Sequence, residues 1–144
     1  MKMRVFLSVV LWAWVLTVGA KNVDARFDGK KITNDIFWNT AEGMPLYSQG
    51  GGIFRYPDPD TGQLRYYWYG VRYAEAARYR EDPSVTYPAC TFESVTCYSS
   101  EDLINWHYEG DVLTREEVDR YGRAGWVGRM GVAYLEEWNQ YVLV

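Results

Sequence analysis

The chain has 144 residues, 15 Lys and Arg against 19 Asp and Glu, a formal net charge of −4 at neutral pH, and 17% aromatic side chains. An acidic balance without a basic cluster argues against nucleic acid or an anionic membrane surface as partner, and a neutral polymer fits better. One His and two Cys leave no spaced cluster of metal ligands.

Residues 1–20 read as a targeting segment. Lys2 and Arg4 give a positive start, Val5 to Val18 form an apolar run with Trp12 and Trp14, and Val18-Gly19-Ala20 offers small residues for cleavage. At about fourteen residues the run is short for a bilayer span of roughly twenty. An uncleaved anchor or a buried helix is the competing reading. Lys21 stands where a lipoprotein signal would need Cys, so soluble export to the periplasm or the exterior is expected, with no membrane contact after cleavage. Cleavage removes two bases and no acid, which leaves residues 21–144 with a charge of −6.

The mature part shows short apolar runs of period near two, separated by turn residues. Gln49-Gly50-Gly51-Gly52 leads into a strand over Ile53 to Tyr56; Pro57-Asp58-Pro59-Asp60-Thr61-Gly62 is a turn, and Leu64 to Val71 is its antiparallel partner. The charged stretch Ala74 to Pro88, broken by Pro83 and Pro88, reads as a surface insertion with one or two helical turns over Ala74 to Arg80. Phe92 to Ser99 is a third strand, Ser100 to Asn105 a compact turn in which Asp102 accepts backbone amides, and Trp106 to Leu113 a fourth strand. Thr114 to Asp119 has the pattern of a capped short helix that Gly122 and Gly125 end. His107, the lone histidine, falls on the fourth strand beside Trp106. Cys90 and Cys97 would stand about 20 Å apart if Thr91 to Cys97 is extended, too far for a bridge, so two thiols are expected, one of them buried. A loop-closing disulfide is the opposite reading and fits an oxidising compartment.

Gly131-Val132-Ala133-Tyr134, a turn over Glu136 to Asn139, and Tyr141-Val142-Leu143-Val144 then repeat the first hairpin at an offset of 79 residues, Gly52 to Gly131. Recurrence of one hairpin type after four strands is the pattern of an all-β propeller with four-stranded antiparallel blades. Blade one would cover about 50–113 and blade two would start at about 126. An apolar strand that stops at Val144 would leave a bare pairing edge, so the reading is an amino-terminal portion of a larger propeller, truncated after about one and a half blades.

Three phrases resemble the five-bladed propellers of glycoside hydrolase family 43, in particular members similar to exo-acting 1,3-β-galactan hydrolases. They are Gly43-Met44-Pro45-Leu46-Tyr47-Ser48-Gln49-Gly50-Gly51-Gly52-Ile53, Tyr66-Tyr67-Trp68-Tyr69-Gly70, and Tyr98-Ser99-Ser100-Glu101-Asp102-Leu103-Ile104-Asn105-Trp106. The resemblance spans about Trp38 to Val144. Three positions depart from the family: Gln49 replaces a histidine, Val71 replaces an acid common after the aromatic phrase, and Gly128-Arg129-Met130-Gly131 stands where relatives have Glu-Arg-Pro-Lys. The resemblance implies a secreted glycosidase acting on polysaccharide or oligosaccharide side chains, with its general acid on a later blade. It implies no cofactor and leaves calcium at the propeller axis open.

In such a funnel the sugar-contacting candidates are Gln49, Gly50, Gly51, Trp68, Trp126 and Arg129. Gln49 offers an amide that donates and accepts. Glycines at Gly50 and Gly51 either expose backbone to a ligand or relieve crowding between strands, and the sequence weighs both equally. Trp68 is a platform or a packing ring; Trp126 and Arg129 share the rim or are a core Trp and a surface Arg. No convincing pair of catalytic carboxylates appears, since Glu93 and Asp111 fall on outer strands. Three readings follow: a glycosidase, a non-catalytic glycan-binding propeller, and an inactive gene fragment.

Overall fold

The computed structural model describes residues 30–58, 60–122 and 127–144; residues 1–20, expected from sequence to direct export, and Gly125 and Trp126 lie outside them. Four antiparallel strands come first, β1 (Gln49–Pro57), β2 (Leu64–Tyr73), β3 (Phe92–Ser100) and β4 (His107–Thr114), paired in chain order. A two-stranded sheet follows, β5 (Val132–Leu135) with β6 (Gln140–Leu143). Two six-residue helices, α1 (Ala76–Glu81) and α2 (Arg115–Arg120), sit between β2 and β3 and after β4. The described chain is therefore mostly β and antiparallel throughout.

Local chemistry explains each reversal. Asp58 opens the β1–β2 turn: its Oδ1 accepts from the Asp60 amide at 3.1 Å and from the Thr61 amide and hydroxyl, each at 2.9 Å, while Gly62 supplies the positive φ of 70°. Asp102 does the same work before β4, taking the Ile104 and Asn105 amides at 2.9 and 2.8 Å. Although partial burial acts to raise its pKa, these bonds prevail and hold the carboxyl down to about 2. Thr114 and Glu117 form a reciprocal cap on α2, with the Thr114 amide 2.8 Å from Glu117 Oε2, and the helix ends at Arg120 just before Gly122.

The fourth strand begins one residue later than expected because Trp106 is a core plug. Its indole is 1% exposed, its Nε1 donates to the Leu103 carbonyl at 3.2 Å, and its own carbonyl accepts from the Ala41 amide at 2.8 Å. His107 then opens β4 on the surface, 2.5 Å from Glu42. The insertion's helix lies at Ala76–Glu81, two residues beyond the expected start.

Alternation along β2 divides its four rings between two faces. Tyr67 and Tyr69 face the second hairpin, where Val71, Phe92, Val95 and Met130 form the buried core and Leu143 packs against it. Tyr56 stacks on Tyr67 at 4.3 Å and on Tyr141 of β6 at 4.2 Å. Trp68 points to the other face, edge-on to Trp38 and to Trp106. With both faces covered, β3 is buried almost end to end, its polar Ser94, Thr96, Ser99 and Ser100 included. Both cysteines are free thiols, Cys90 exposed and Cys97 buried. Burial pushes the Cys97 thiol up to about 11.

Candidate functional site

The glycine phrase is a β-bulge. Gln49 pairs with Val71 and Gly52 with Tyr69, so β1 carries one residue more than β2 across this stretch. Gly50 takes the left-handed bend at φ 65° with open space around it. Gly51 has a different reason: a Cβ there would lie 1.7 Å from the Tyr69 carbonyl oxygen. Crowding thus accounts for Gly51, and backbone curvature for Gly50.

Beside this bulge, the Arg129 amide donates to the Gly50 carbonyl at 3.0 Å, and Arg129 itself is an exposed residue at a φ of 54°. The structure therefore brings Gln49, Gly50, Gly51 and Arg129 to one corner. Trp68 is not among them. Its ring lies 6.0 Å from Trp38 and 5.3 Å from Trp106, within an aromatic cluster on the opposite face. Trp126 lies outside the described residues.

Because β1 begins where β2 ends, the connection from β2 to β3 passes over the same end of the sheet as Gln49. Between them lies an open cleft of about 630 Å³. Tyr47, Gln49 and Tyr73 line the sheet side; Glu75, Tyr79 and Tyr87 line the side formed by α1 and the loop behind it. That volume is within the range of small-molecule sites.

The wall is held by contacts made within the chain. Glu75 Oε2 accepts from the Thr91 amide at 2.9 Å, and Ala74 donates to the Thr91 carbonyl at 3.0 Å, which closes the insertion at its base. Arg80 donates to the Trp38 carbonyl at 2.8 Å, bonds Asn39 Oδ1, and lies 5.4 Å over the Phe37 ring. Phe37 meets Tyr79 edge-on at 5.9 Å. The Thr91 amide and hydroxyl keep the Glu75 carboxyl below its ordinary value, so it is ionised at neutral pH.

Both charges of the cleft are thus satisfied by the protein's own groups. The rest of the lining is mixed: apolar side chains such as Leu46, Pro83 and Val85, the tyrosine rings and hydroxyls, the Cys90 thiol and the Gln49 amide, a surface that offers apolar faces with a few polar groups to a ligand of the same character. Glycoside hydrolysis needs two carboxyls, roughly 6.5–9.5 Å apart for inversion and nearer for retention. Among the described residues Glu75 is the one acid that lines the cleft. Glu93 is paired with Arg72 at 2.9 Å, and Asp111 accepts the Tyr108 hydroxyl at 2.7 Å.

Sequence reasoning missed the wall. Residues 74–88 read as a charged surface insertion, yet they supply Glu75, Tyr79 and Tyr87 to the cleft. Hairpin geometry carried the signal, since it places both ends of that insertion at the Gln49 end of the sheet. Compared with protein-family models, with curated proteins and with solved structures, the chain gives no match.

Proposed function

We propose that this chain carries the saccharide-binding cleft of an exported β-propeller of the glycoside hydrolase family 43 kind, acting on O-glycosyl bonds of polysaccharide or oligosaccharide side chains. The observation that carries the reading is the cleft at the glycine-rich end of β1, where Gln49 shares a lining with Tyr73, Tyr79 and Tyr87. In propellers, the entry to the inner strand and the loop between the second and third strands of a blade both face the ligand side of the ring. The Arg129 amide on Gly50 also supports the reading, because the segment leading into the repeated hairpin meets the first at its glycine phrase. The Tyr56 ring of β1 stacked on Tyr141 of β6 is a further support, because neighbouring blades pack through side chains of this kind.

A second reading, binding without hydrolysis, is favoured by one observation. Among the described residues Glu75 is the one acid on the cleft, and with its carboxyl held ionised and Oε2 engaged by the Thr91 amide it is poorly placed to give a proton. Titration of the purified chain with xylan, arabinan and galactan oligosaccharides, with sugar release followed in parallel, tests both. Binding with release supports the hydrolase. Binding without release leaves a lectin-like propeller, and absence of binding removes the saccharide reading altogether.

A further inference from the structure

We infer that the cleft grips a run of about three sugar residues of a glycan chain, stacked along its length, rather than a single sugar. The inference rests on the saccharide reading and goes beyond it by fixing the length and the mode of engagement.

Volume gives the length. A hexose residue of about eleven non-hydrogen atoms, packed as densely as a protein interior, fills roughly 170 Å³. The open cleft offers about 630 Å³, room for up to three such residues with bridging water. A single ring would fill only about a third of it.

Shape gives the mode. The cleft lies between two walls, the end of the first hairpin and the insertion, and is open to solvent rather than capped. Aromatic residues occur on both walls, Tyr47 and Tyr73 on one, Tyr79 and Tyr87 on the other, so stacking surfaces are spread over the site instead of gathered at one spot. Successive residues of a chain present alternating apolar faces and hydroxyl edges, and rings on both walls meet such a ligand over several units. Tyr79 is 45% exposed although it lines the cleft, so a wide ring face is free for contact. The wall itself is preorganised by the Glu75 and Arg80 contacts, so a longer ligand gains contacts without a matching cost of ordering protein.

The test is calorimetric titration of the whole chain with xylo-, arabino- and galacto-oligosaccharides of one to six residues. In whichever series binds, affinity should rise about tenfold or more from the monosaccharide to the trisaccharide and then level off. A second arm uses Thr86→Trp, at an exposed position on the insertion wall where bulk narrows the cleft without touching the core. The variant should retain the wild-type melting temperature and lose the gain from the third residue. A monosaccharide that binds as tightly as the trisaccharide, a rise that continues unchanged to six residues, or an unaltered length profile in Thr86→Trp would each overturn the inference and leave the saccharide reading standing. Absence of binding by all three series would instead remove that reading, and the length inference with it.

Discussion

At the scale of single residues, adjacent glycines hold their places for separate causes, and substitution distinguishes them. Gly51→Ala forces a methyl onto the Tyr69 carbonyl, a backbone atom that cannot swing away, so β1 and β2 must separate at the bulge. The expected loss is about 2–4 kcal/mol, in the range of strongly disruptive overpacking. Gly50→Ala meets no atom and bears only the left-handed backbone penalty of about 1–2 kcal/mol. Urea unfolding of the two variants measures the difference, and equal losses would refute the assignment of distinct causes. The sequence showed three consecutive glycines and offered two explanations for them. Only the register of β1 on β2 separates these, because a bulge is a property of a strand pair rather than of one strand.

Asp58 makes a prediction of the same scale about acid. The Tyr67 hydroxyl, 2.8 Å away, together with the Thr61 amide and hydroxyl, holds its carboxyl well below the ordinary 3.8. A carboxyl whose pKa is depressed on folding contributes stability that is fully present above its unfolded value and is lost as pH falls through the folded one. Stability should therefore drop from about pH 4 downward. In Asp58→Asn the molecule should be less stable at neutral pH and its stability should fall less steeply in acid. Acid titration of the unfolding free energy checks both signs, and parallel profiles for the two proteins would show that Asp58 is not the group responsible.

At the scale of elements, the strands were legible because alternation and turn chemistry agree: Asp58, Asp102 and the Thr114–Glu117 cap each specify their reversal locally. The cleft was not legible, since it arises from where α1 is pinned, and its clamp joins Arg80 to Trp38 across 42 positions of sequence. A single-sequence pattern has no term for such a contact. Arg80→Met keeps most of the side-chain volume and removes the bonds to the Trp38 carbonyl and Asn39. The wall should then loosen while the sheet remains intact. Stability should fall by about 1.5–3 kcal/mol, the value of a charge-assisted hydrogen bond, and glycan affinity should fall roughly tenfold as ordering of the wall is transferred to the binding step. An affinity unchanged in Arg80→Met would show that the wall needs no clamp.

At the scale of the whole molecule, the question is whether the two sheets fold as one. Met130 is 8% exposed and joins Val71, Phe92 and Val95 in the core, while Leu143 of β6 packs against the same cluster. That cluster is shared: it belongs to neither sheet alone, and a two-stranded hairpin is marginal in water without such support. Met130→Ala should therefore cost about 2–4 kcal/mol, the usual range for removing a buried Met side chain, and the cost should be felt in both sheets. Unfolding followed by tryptophan fluorescence in a Trp138→Phe background, which removes the ring in the β5–β6 turn, reports mainly on the first sheet, where Trp68 and Trp106 lie buried or half-buried together. Amide exchange of β5 and β6 reports on the second. If the sheets are one cooperative unit, both probes shift by the same free energy in Met130→Ala. If β5 and β6 lose protection while the fluorescence transition stays in place, the hairpin is a separately stable appendage, and the stacking that supports the blade-like reading would be a local contact rather than the core of a shared fold.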